Sequence, residues 1–422
     1  MSIEGEGKMG NGTDGSGQSA GMKQVPDFVA YWNQRIAVCN EQGLNEMELD
    51  AIEITEGAIG KAARYVAERC CNKAIVVADE TTTSIAGFSL RQELARAGVD
   101  AHLTVIRSDQ RGDVVADEAS VLQVLIDVQE HGAEMVVAAG GGTIHDIVRY
   151  AAYTMKIPFL SVPTAPSVDG FTSKGAPIVV RGEKKTIRAV APVAIFADMD
   201  ILLQAPHALV AAGFGDMIGK HTALFDWRFG HLVAGEPYSP LAAEMAREAL
   251  QTCEQAAVQI AERSADGIRI LMQSLIQSGL AMHVFGQSHP ASGAEHHLSH
   301  YWEMEYLRTG KKQLLHGAKV GAASVEIARL YKRIAETEEW MELWRSGEDA
   351  VGWEEVRKEL LAIPDETEIA ELLEKVGCPA SVTELGISEE LLQRSLREAH
   401  LVRPNRCTLL HAYNRRKGWK QS

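Results

Sequence analysis

Hydrophobic and polar positions follow two different patterns along the chain, and the change falls near residue 200. Between about residues 50 and 200, short apolar runs rich in valine, isoleucine and alanine alternate with amphipathic stretches of helical length. The predicted strands are 74–78, 102–106, 135–138, 159–162 and 193–197, and the predicted helices are 88–97, 120–130 and 143–154. Fully apolar strands separated by helices are typical of a parallel sheet covered on both faces. We therefore predict an α/β domain with a doubly wound parallel sheet, with a β-hairpin inserted at 177–190.

The second half of the chain has the period of about 3.6 residues that indicates helices. The predicted helical segments are 241–262, 268–285, 317–337 and 389–399. This pattern predicts an all-α C-terminal domain at 201–422, after an α/β domain at 23–200. Residues 1–22 are rich in glycine and polar residues and are predicted to form a disordered tail. The acidic, tryptophan-containing stretch 340–353 is predicted to form a surface loop or a short helix.

Composition excludes several classes of function. The 422 residues include 42 Lys and Arg against 57 Asp and Glu, for a net charge of −15, and no basic stripe compensates for it, so we expect no nucleic-acid partner. Six cysteines without a C-x-x-C pair are expected to be reduced thiols. No apolar run approaches the roughly 20 residues that span a bilayer, and no signal peptide is evident. We expect a cytoplasmic protein without membrane insertion.

A glycine-rich turn, Gly140-Gly141-Gly142, follows the third predicted strand and opens the helix that carries Asp146. Glycines let backbone N–H groups approach a ligand, and a helix N-terminus favours phosphate, so the turn fits a dinucleotide pyrophosphate. The G-x-G-x-x-G spacing fails, because His145 stands where the third glycine would be, and a simple tight turn is the alternative. Asp79 ends an earlier strand, where it either holds a ribose or caps the following helix.

The loop 161–174 follows a buried strand, at the end of the sheet where ligands of open α/β folds bind. It contains two prolines and many hydroxyl groups. Asp169, next to Gly170, is predicted to accept hydrogen bonds from substrate hydroxyls, and an Asx turn is the alternative.

Three features of the helical half combine into a predicted metal site. Asp216 follows two glycines, at what we expect to be the start of a helix. His296 and His300 lie one turn apart on one helical face, and His316 opens another helix. A buried structural histidine is the alternative for each imidazole taken alone. Together, a carboxylate and two imidazoles with an open coordination position make up a catalytic divalent-metal site.

With these motifs the chain resembles the glycerol-1-phosphate dehydrogenase family, in the superfamily of glycerol dehydrogenases, iron-type alcohol dehydrogenases and dehydroquinate synthases. The matching motifs are VVADETT, GGGTIHD, PTAPSVDGFTSKGAP, AAGFGDMIGK, SGAEHHLSH and LLHGAKVG. They cover about residues 50–330 in family order, and the match is most similar to the bacterial branch. The region after about residue 336 carries no motif and no predicted role.

The resemblance implies an active site in the cleft between the two domains, and it implies a role for individual residues. The implied metal ligands are Asp216, His296 and His316, with zinc usual among relatives and nickel possible in this branch, and the implied catalytic and substrate-binding residues are Asp169, Asp216 and His300. The implied NAD(P) site consists of Asp79, Gly142, Thr143, Ile144, His145, Asp146, Thr164, Ala165, Pro166, Ser167 and Ser173. Iron-type alcohol dehydrogenases carry a histidine four residues after the metal aspartate, where this chain has Lys220, so three protein ligands are expected.

The implied reaction is the reversible, metal-dependent reduction of dihydroxyacetone phosphate to sn-glycerol 1-phosphate with NADH or NADPH, for glycerophospholipid synthesis, in a homodimer. A metal-linked water or His300 would protonate the alkoxide. Lys174 and Lys220 are either phosphate partners or exposed lysines. Three alternatives stay open: a glycerol dehydrogenase; a lyase like dehydroquinate synthase, which Asp216 in place of glutamate disfavours; and a non-catalytic regulator, which would require the loss of a site residue.

Overall fold

The computed structural model describes residues 25–39, 41–337 and 353–419. The predicted tail 1–22 lies outside these residues, as does the predicted loop or short helix at 340–353, apart from residue 353, where a helix begins.

Within the described residues, six parallel strands form one sheet in the order β1-β8-β5-β4-β2-β3, and two antiparallel strands form the predicted hairpin. The sheet strands are β1 (Ala51–Thr55), β2 (Lys73–Asp79), β3 (Asp100–Ile106), β4 (Met135–Gly140), β5 (Phe159–Pro163) and β8 (Ala194–Asp198); the hairpin strands are β6 (Gly175–Val180) and β7 (Glu183–Arg188). The predicted parallel sheet is confirmed. Strand β1 was not predicted: it is an edge strand that pairs with β8 alone, and its side chains are buried alternately instead of forming an apolar run.

The first half carries helices α1 (Val25–Val38), α2 (Ala58–Glu68), α3 (Phe88–Arg96), α4 (Glu118–His131) and α5 (Gly142–Met155). The second half carries α6 (His207–Ile218), α7 (Lys220–Ala234), α8 (Pro240–Gln255), α9 (Ala257–Ala261), α10 (Ala265–Phe285), α11 (Ala294–Thr309), α12 (His316–Glu336), α13 (Trp353–Ala362), α14 (Glu366–Lys375), α15 (Glu389–Glu398) and α16 (Leu409–Trp419). Short helical turns lie at Glu80–Thr82, Thr83–Gly87, Gly170–Thr172, Met199–Leu202 and Ala399–Val402. The predicted helical second half is confirmed, although the single helix predicted at 241–262 is divided at Ala256 into α8 and α9.

The sheet is covered on both faces. Val76 packs with α2 and α3 on one face, and Val77 packs with α4 and α5 on the other. Helix α1 instead contributes Trp32 to a third core, which is built mainly from the helices of the second half. No helix in the described ranges is both long and apolar enough to cross a bilayer.

The strand order creates a crevice at the carboxyl ends of β2 and β4. The chain passes from β2 to its neighbour β3 and then returns to the opposite side of β2 with β4. Ligands of doubly wound sheets bind where the strand order reverses in this way. Asp79 and Gly140 end the two strands at this point, so the acidic strand end and the glycine turn lie at the same crevice. The glycine turn follows the fourth strand of the chain and not the third, because β1 precedes the predicted ones.

Candidate active site

Asp216 lies in the last turn of α6 and not at a helix start as predicted, because the helix begins nine positions earlier at His207. Gly213 and Gly215, which precede it, allow other segments of the chain to pack closely against the helix. A Cβ at Gly213 would collide with the carbonyl oxygen of Pro166, and one at Gly215 would press against the carbonyl oxygen of Gly317. The missing side chains therefore let α6 approach both the 161–174 loop and the first turn of α12.

Asp216, His296 and His316 come together in the described structure. Each residue offers one ligand atom, and these atoms all lie within 4.8 Å of one another. Nε2 of His296 lies 3.7 Å from Oδ1 of Asp216, and the ring centroids of the two histidines are 5.2 Å apart. His316 is the first residue of α12, as predicted. One carboxylate oxygen and two imidazole nitrogens in reach of one point are a donor set that suits a divalent ion.

Glu295 orients the imidazole of His296. Its Oε1 lies 2.7 Å from Nδ1 of His296 and accepts a hydrogen bond from the N–H of Gly293, while the hydroxyl of Thr222 donates to Oε2 at 2.6 Å. Burial acts to raise the pKa of Glu295, but the hydrogen bonds from His296 and Thr222 lower it. With Glu295 ionised, Nδ1 carries the proton and Nε2 is left to act as a ligand. Burial also lowers the pKa of His316 to about 3, which keeps this imidazole in the neutral form that metals bind.

Lys220 links the two aspartates of the site. Its Nζ lies 2.8 Å from Oδ2 of Asp169 and 2.9 Å from Oδ1 of Asp216. Burial works against the lysine charge, yet the two carboxylates raise the pKa of Lys220; burial likewise acts against the charge of Asp216, but Lys220 and the imidazoles lower its pKa. Lys220 is thus neither exposed nor free to bind phosphate, which corrects both interpretations of this residue.

Asp169 is held from two further directions. Its N–H donates to Oδ2 of Asp216 at 3.0 Å, and the hydroxyl of Ser278 donates to its Oδ2 at 2.8 Å. Among the described residues, none donates a hydrogen bond to Oδ1 of Asp169. One oxygen of this buried carboxylate therefore remains for a ligand in the cleft.

His300 lies one turn beyond His296, and its Nδ1 is 3.5 Å from Oε2 of Glu303. Glu303 also pairs with Lys184 of the hairpin at 2.8 Å and with Lys319 of α12 at 3.2 Å. Burial lowers the pKa of His300 well below its usual value, so its ring is neutral. The hairpin is thereby tied across the cleft to α11.

A cleft of about 900 Å³ connects these residues with the carboxyl ends of the strands. The predicted residues that line it are Asp79, Gly142, Thr143, Ile144, Asp146, Thr164, Ala165, Ser167, Asp169, Ser173, His296, His300 and His316. Three predicted residues do not line it. Asp216 is fully buried behind the wall, Pro166 packs on α6, and His145 points into the protein.

His145 supports the glycine turn from below. Its ring nitrogens lie 2.9 Å from the carbonyl oxygen of Gly141 and 2.8 Å from the hydroxyl of Ser161 on β5. The helix cap residue Gly141 has no side chain to occupy the first N–H groups of α5, which leaves them facing the cleft. Asp79 does act as a cap, since its carboxylate accepts a hydrogen bond from the N–H of Thr82 at 2.7 Å, and it lines the cleft as well.

Several residues that line the cleft or support its lining from behind were not predicted as site residues. Glu295 and Lys319 stand inside the quoted motifs, next to or near predicted ligands, so their positions were a usable signal. Glu303 lies on the same helical face as His296 and His300, three residues beyond the latter. Arg403 also lines the cleft, and it comes from the C-terminal region where no motif marked it.

Comparisons with known proteins find relatives that match most of the chain. A family model described as iron-containing alcohol dehydrogenase matches residues 53–206. Glycerol-1-phosphate dehydrogenase (NAD(P)+) of Geobacillus thermodenitrificans is 45% identical over 378 residues, covering 87% of this chain and 93% of that protein. The protein of the same name from Bacillus subtilis is 42% identical over 87% of this chain and 92% of its own length. That of Thermococcus kodakarensis is 32% identical over 80% and 84%.

Solved structures share the fold at low identity. A probable glycerol dehydrogenase from Sinorhizobium meliloti superposes with a TM-score of 0.63 at 17% identity, over 87% of this chain and 98% of that one. An alcohol dehydrogenase from Oenococcus oeni gives a TM-score of 0.65 at 16% identity, over 86% and 94%.

Proposed function

The chain belongs to the glycerol-1-phosphate dehydrogenase family and is an NAD(P)-dependent oxidoreductase, and we propose that its cleft interconverts dihydroxyacetone phosphate and sn-glycerol 1-phosphate. The observation that carries the proposal is the convergence of Asp216, His296 and His316 at a cleft that also contains the glycine turn. A substrate carbonyl bound near this donor set and a nicotinamide cofactor bound at the glycine turn would share one cleft. Hydride transfer requires the two molecules to be close together in this way.

The donor set fits one divalent ion, and we propose zinc or nickel. One carboxylate and two neutral imidazoles leave a coordination position open for substrate. When bound, the ion acts as a Lewis acid toward the carbonyl oxygen, and NAD(P)H supplies the hydride. Glu295 keeps the tautomer and orientation of His296 fixed.

Asp169 and His300 orient the substrate. The open Oδ1 of Asp169 accepts a hydrogen bond from a substrate hydroxyl, while Lys220 and Ser278 prevent the carboxylate from turning. The neutral ring of His300 donates or accepts one hydrogen bond with the substrate. It is one candidate relay for the proton that reaches the product oxygen, because it can take up a proton at one ring nitrogen as it gives up the proton of the other. A water at the ion is the other.

The cofactor is proposed to bind with its pyrophosphate on the first N–H groups of α5. Thr164, Ser167 and Ser173, which carry hydroxyl groups, line the same cleft. Asp79 stands at the end of β2, where it would accept hydrogen bonds from a ribose and repel the 2′-phosphate of NADPH. We therefore propose a preference for NADH.

We further propose that 23–200 forms the cofactor domain and 201–422 the metal and substrate domain, with α1 packed on the latter. We also propose a cytoplasmic homodimer. Light scattering after gel filtration measures the mass in solution, and a monomer would contradict the dimer.

The proposed reaction is tested with purified protein loaded with Zn²⁺ or Ni²⁺. NADH absorbance should fall on addition of dihydroxyacetone phosphate, and a chiral assay should identify the product as sn-glycerol 1-phosphate. Turnover of unphosphorylated dihydroxyacetone without turnover of its phosphate would identify a glycerol dehydrogenase instead. Product formation without net NADH consumption would indicate a lyase.

A further inference from the structure

Arg403 brings a guanidinium group into the cleft from the C-terminal region. It follows the short turn Ala399–Val402, and its side chain lines the same cleft as His296 and His300. Its NH1 group donates to the hydroxyl of Ser288 at 2.7 Å and to that of Ser292 at 3.3 Å. Both serines lie between α10 and α11 and line the cleft themselves.

Arg403, which is partly exposed in the cleft, differs from the buried cations around the cleft in its lack of a counter-ion. Arg149 pairs with Asp146 at 2.6 Å, Lys319 pairs with Glu303, and Lys220 pairs with two aspartates. Within the ranges 25–39, 41–337 and 353–419, no carboxylate lies within 4.0 Å of the Arg403 guanidinium, which contacts hydroxyl groups instead.

A guanidinium that is mostly covered by protein and has no counter-ion within ion-pair distance is costly, and proteins ordinarily pair it. Burial, followed by the charge of Arg406, lowers the pKa of Arg403 to about 10, while the more distant charge of Glu295 acts in the opposite direction, and the guanidinium stays charged at neutral pH. The missing negative charge is therefore expected from a ligand in the cleft. A guanidinium fork with two adjacent hydroxyl donors matches the oxygens of a phosphate monoester.

We propose that Arg403, with Ser288 and Ser292, binds the phosphate group of the substrate and so determines the selectivity for a phosphorylated ketone. This inference rests on the proposed function for the reaction, but the site itself would take any small phosphate monoester. It assigns a role to the C-terminal region, which supplies the phosphate ligand through Arg403.

The test uses the metal-loaded enzyme with Arg403→Gln. The variant keeps hydrogen-bonding capacity but removes the charge, so kcat/KM for dihydroxyacetone phosphate should fall about 100-fold or more. The kcat/KM for unphosphorylated dihydroxyacetone should stay within about threefold of the wild-type value, because that substrate carries no phosphate group for Arg403 to bind. The dissociation constant for inorganic phosphate, measured by calorimetry, should rise at least tenfold. Arg397→Gln, an exposed arginine on α15, is the matched control and should change none of these values.

Arg403→Lys provides a second variant if the glutamine variant fails to fold. It retains the charge but not the planar guanidinium group. Its kcat/KM should fall about tenfold for dihydroxyacetone phosphate and stay unchanged for unphosphorylated dihydroxyacetone. Equal losses for both substrates, or an unchanged dissociation constant for phosphate, would overturn the proposal. If the wild-type enzyme binds phosphate through Arg403 but does not reduce dihydroxyacetone phosphate, then the proposed reaction is wrong and the phosphate site stands.

Discussion

Lys220 holds Asp169 in place through an ion pair of 2.8 Å between Nζ and Oδ2, and the lysine is fully buried. The same ammonium group contacts Asp216, so one positive charge stands between two carboxylates. The site therefore keeps its two acidic groups close together through a fixed internal cation before any ion binds.

Lys220→Met should destabilise the metal-free protein by about 3–5 kcal/mol, because it leaves two buried carboxylates without their counter-charge. Added Zn²⁺ should restore part of the loss, since a bound ion supplies positive charge at Asp216. Denaturant unfolding with and without Zn²⁺ measures both effects. Lys61→Met, which removes a partly exposed pair with Glu53, should cost less than about 1 kcal/mol. Equal stability of the Lys220 variant and the wild type would contradict the role of the buried pair.

Glu295→Gln should weaken binding of Zn²⁺ by about 10–100-fold, because the amide no longer fixes His296 with Nε2 toward Asp216. Competition with a chromophoric chelator measures this affinity without reference to activity. Glu305 lies on the same helix and pairs with arginines outside the cleft. Glu305→Gln is therefore the control and should leave the affinity for Zn²⁺ unchanged. An unchanged affinity in the Glu295 variant would show that its hydrogen bonds serve only the fold.

His316→Ala should reduce the bound metal from about one equivalent per chain to a small fraction, because two ligands hold a divalent ion far less tightly than three. Reductase activity should fall at least about 1,000-fold with it. Elemental analysis of the purified variant gives the metal content. His131→Ala removes an imidazole that does not line the cleft and should retain both metal and activity. Full metal content in the His316 variant would refute the ligand assignment.

Asp226 makes stability depend on pH. Burial, followed by the charge of Glu295, raises the pKa of this carboxyl to about 7, and it accepts hydrogen bonds from Tyr331 and from the N–H groups of Ala294 and Leu409. The folded protein therefore keeps a proton that the unfolded chain releases between about pH 4 and pH 7. The free energy of unfolding should fall as pH rises through this window, by at most about 4 kcal/mol.

Urea unfolding of the wild type and of Asp226→Asn at several pH values tests this assignment. The asparagine side chain does not titrate, so the difference in stability between the two proteins should move in favour of the variant as pH rises toward about 8. Asp266→Asn, on an exposed position, should follow the wild type at every pH. If the free energies of unfolding of Asp226→Asn and the wild type change with pH in parallel, the pKa of Asp226 lies near its ordinary value and the assignment is wrong.

The elements that could be predicted from the sequence are mainly strands in which every residue is buried and helices in which one regular face is buried. Strands such as β4 are apolar at every position because both faces of the sheet are covered, whereas the edge strand β1 alternates and was missed. The proposed ligands Asp216, His296 and His316 were found because carboxylate and imidazole groups are typical metal donors and because all three stand in recognisable motifs. The place of Asp216 within α6 was predicted wrongly, because Gly213 and Gly215 serve helix contacts that depend on segments distant in sequence. Lys220 shows the same limit, since its burial follows only from the partners that the fold brings to it.

Helix α1 has a consequence for the order in which the protein forms. Its Trp32 is buried at 1% exposure, and Arg35 pairs with Glu244 at 2.6 Å. The N–H of Asn45 donates to the carbonyl oxygen of Val284 at 2.8 Å. On the ribosome, the first helix is therefore made long before the second-half helices that supply most of the core in which Trp32 is buried. A fragment that ends at Asp200 would carry the whole sheet but leave this helix without most of its core, so the burial of α1 depends on the second half of the chain.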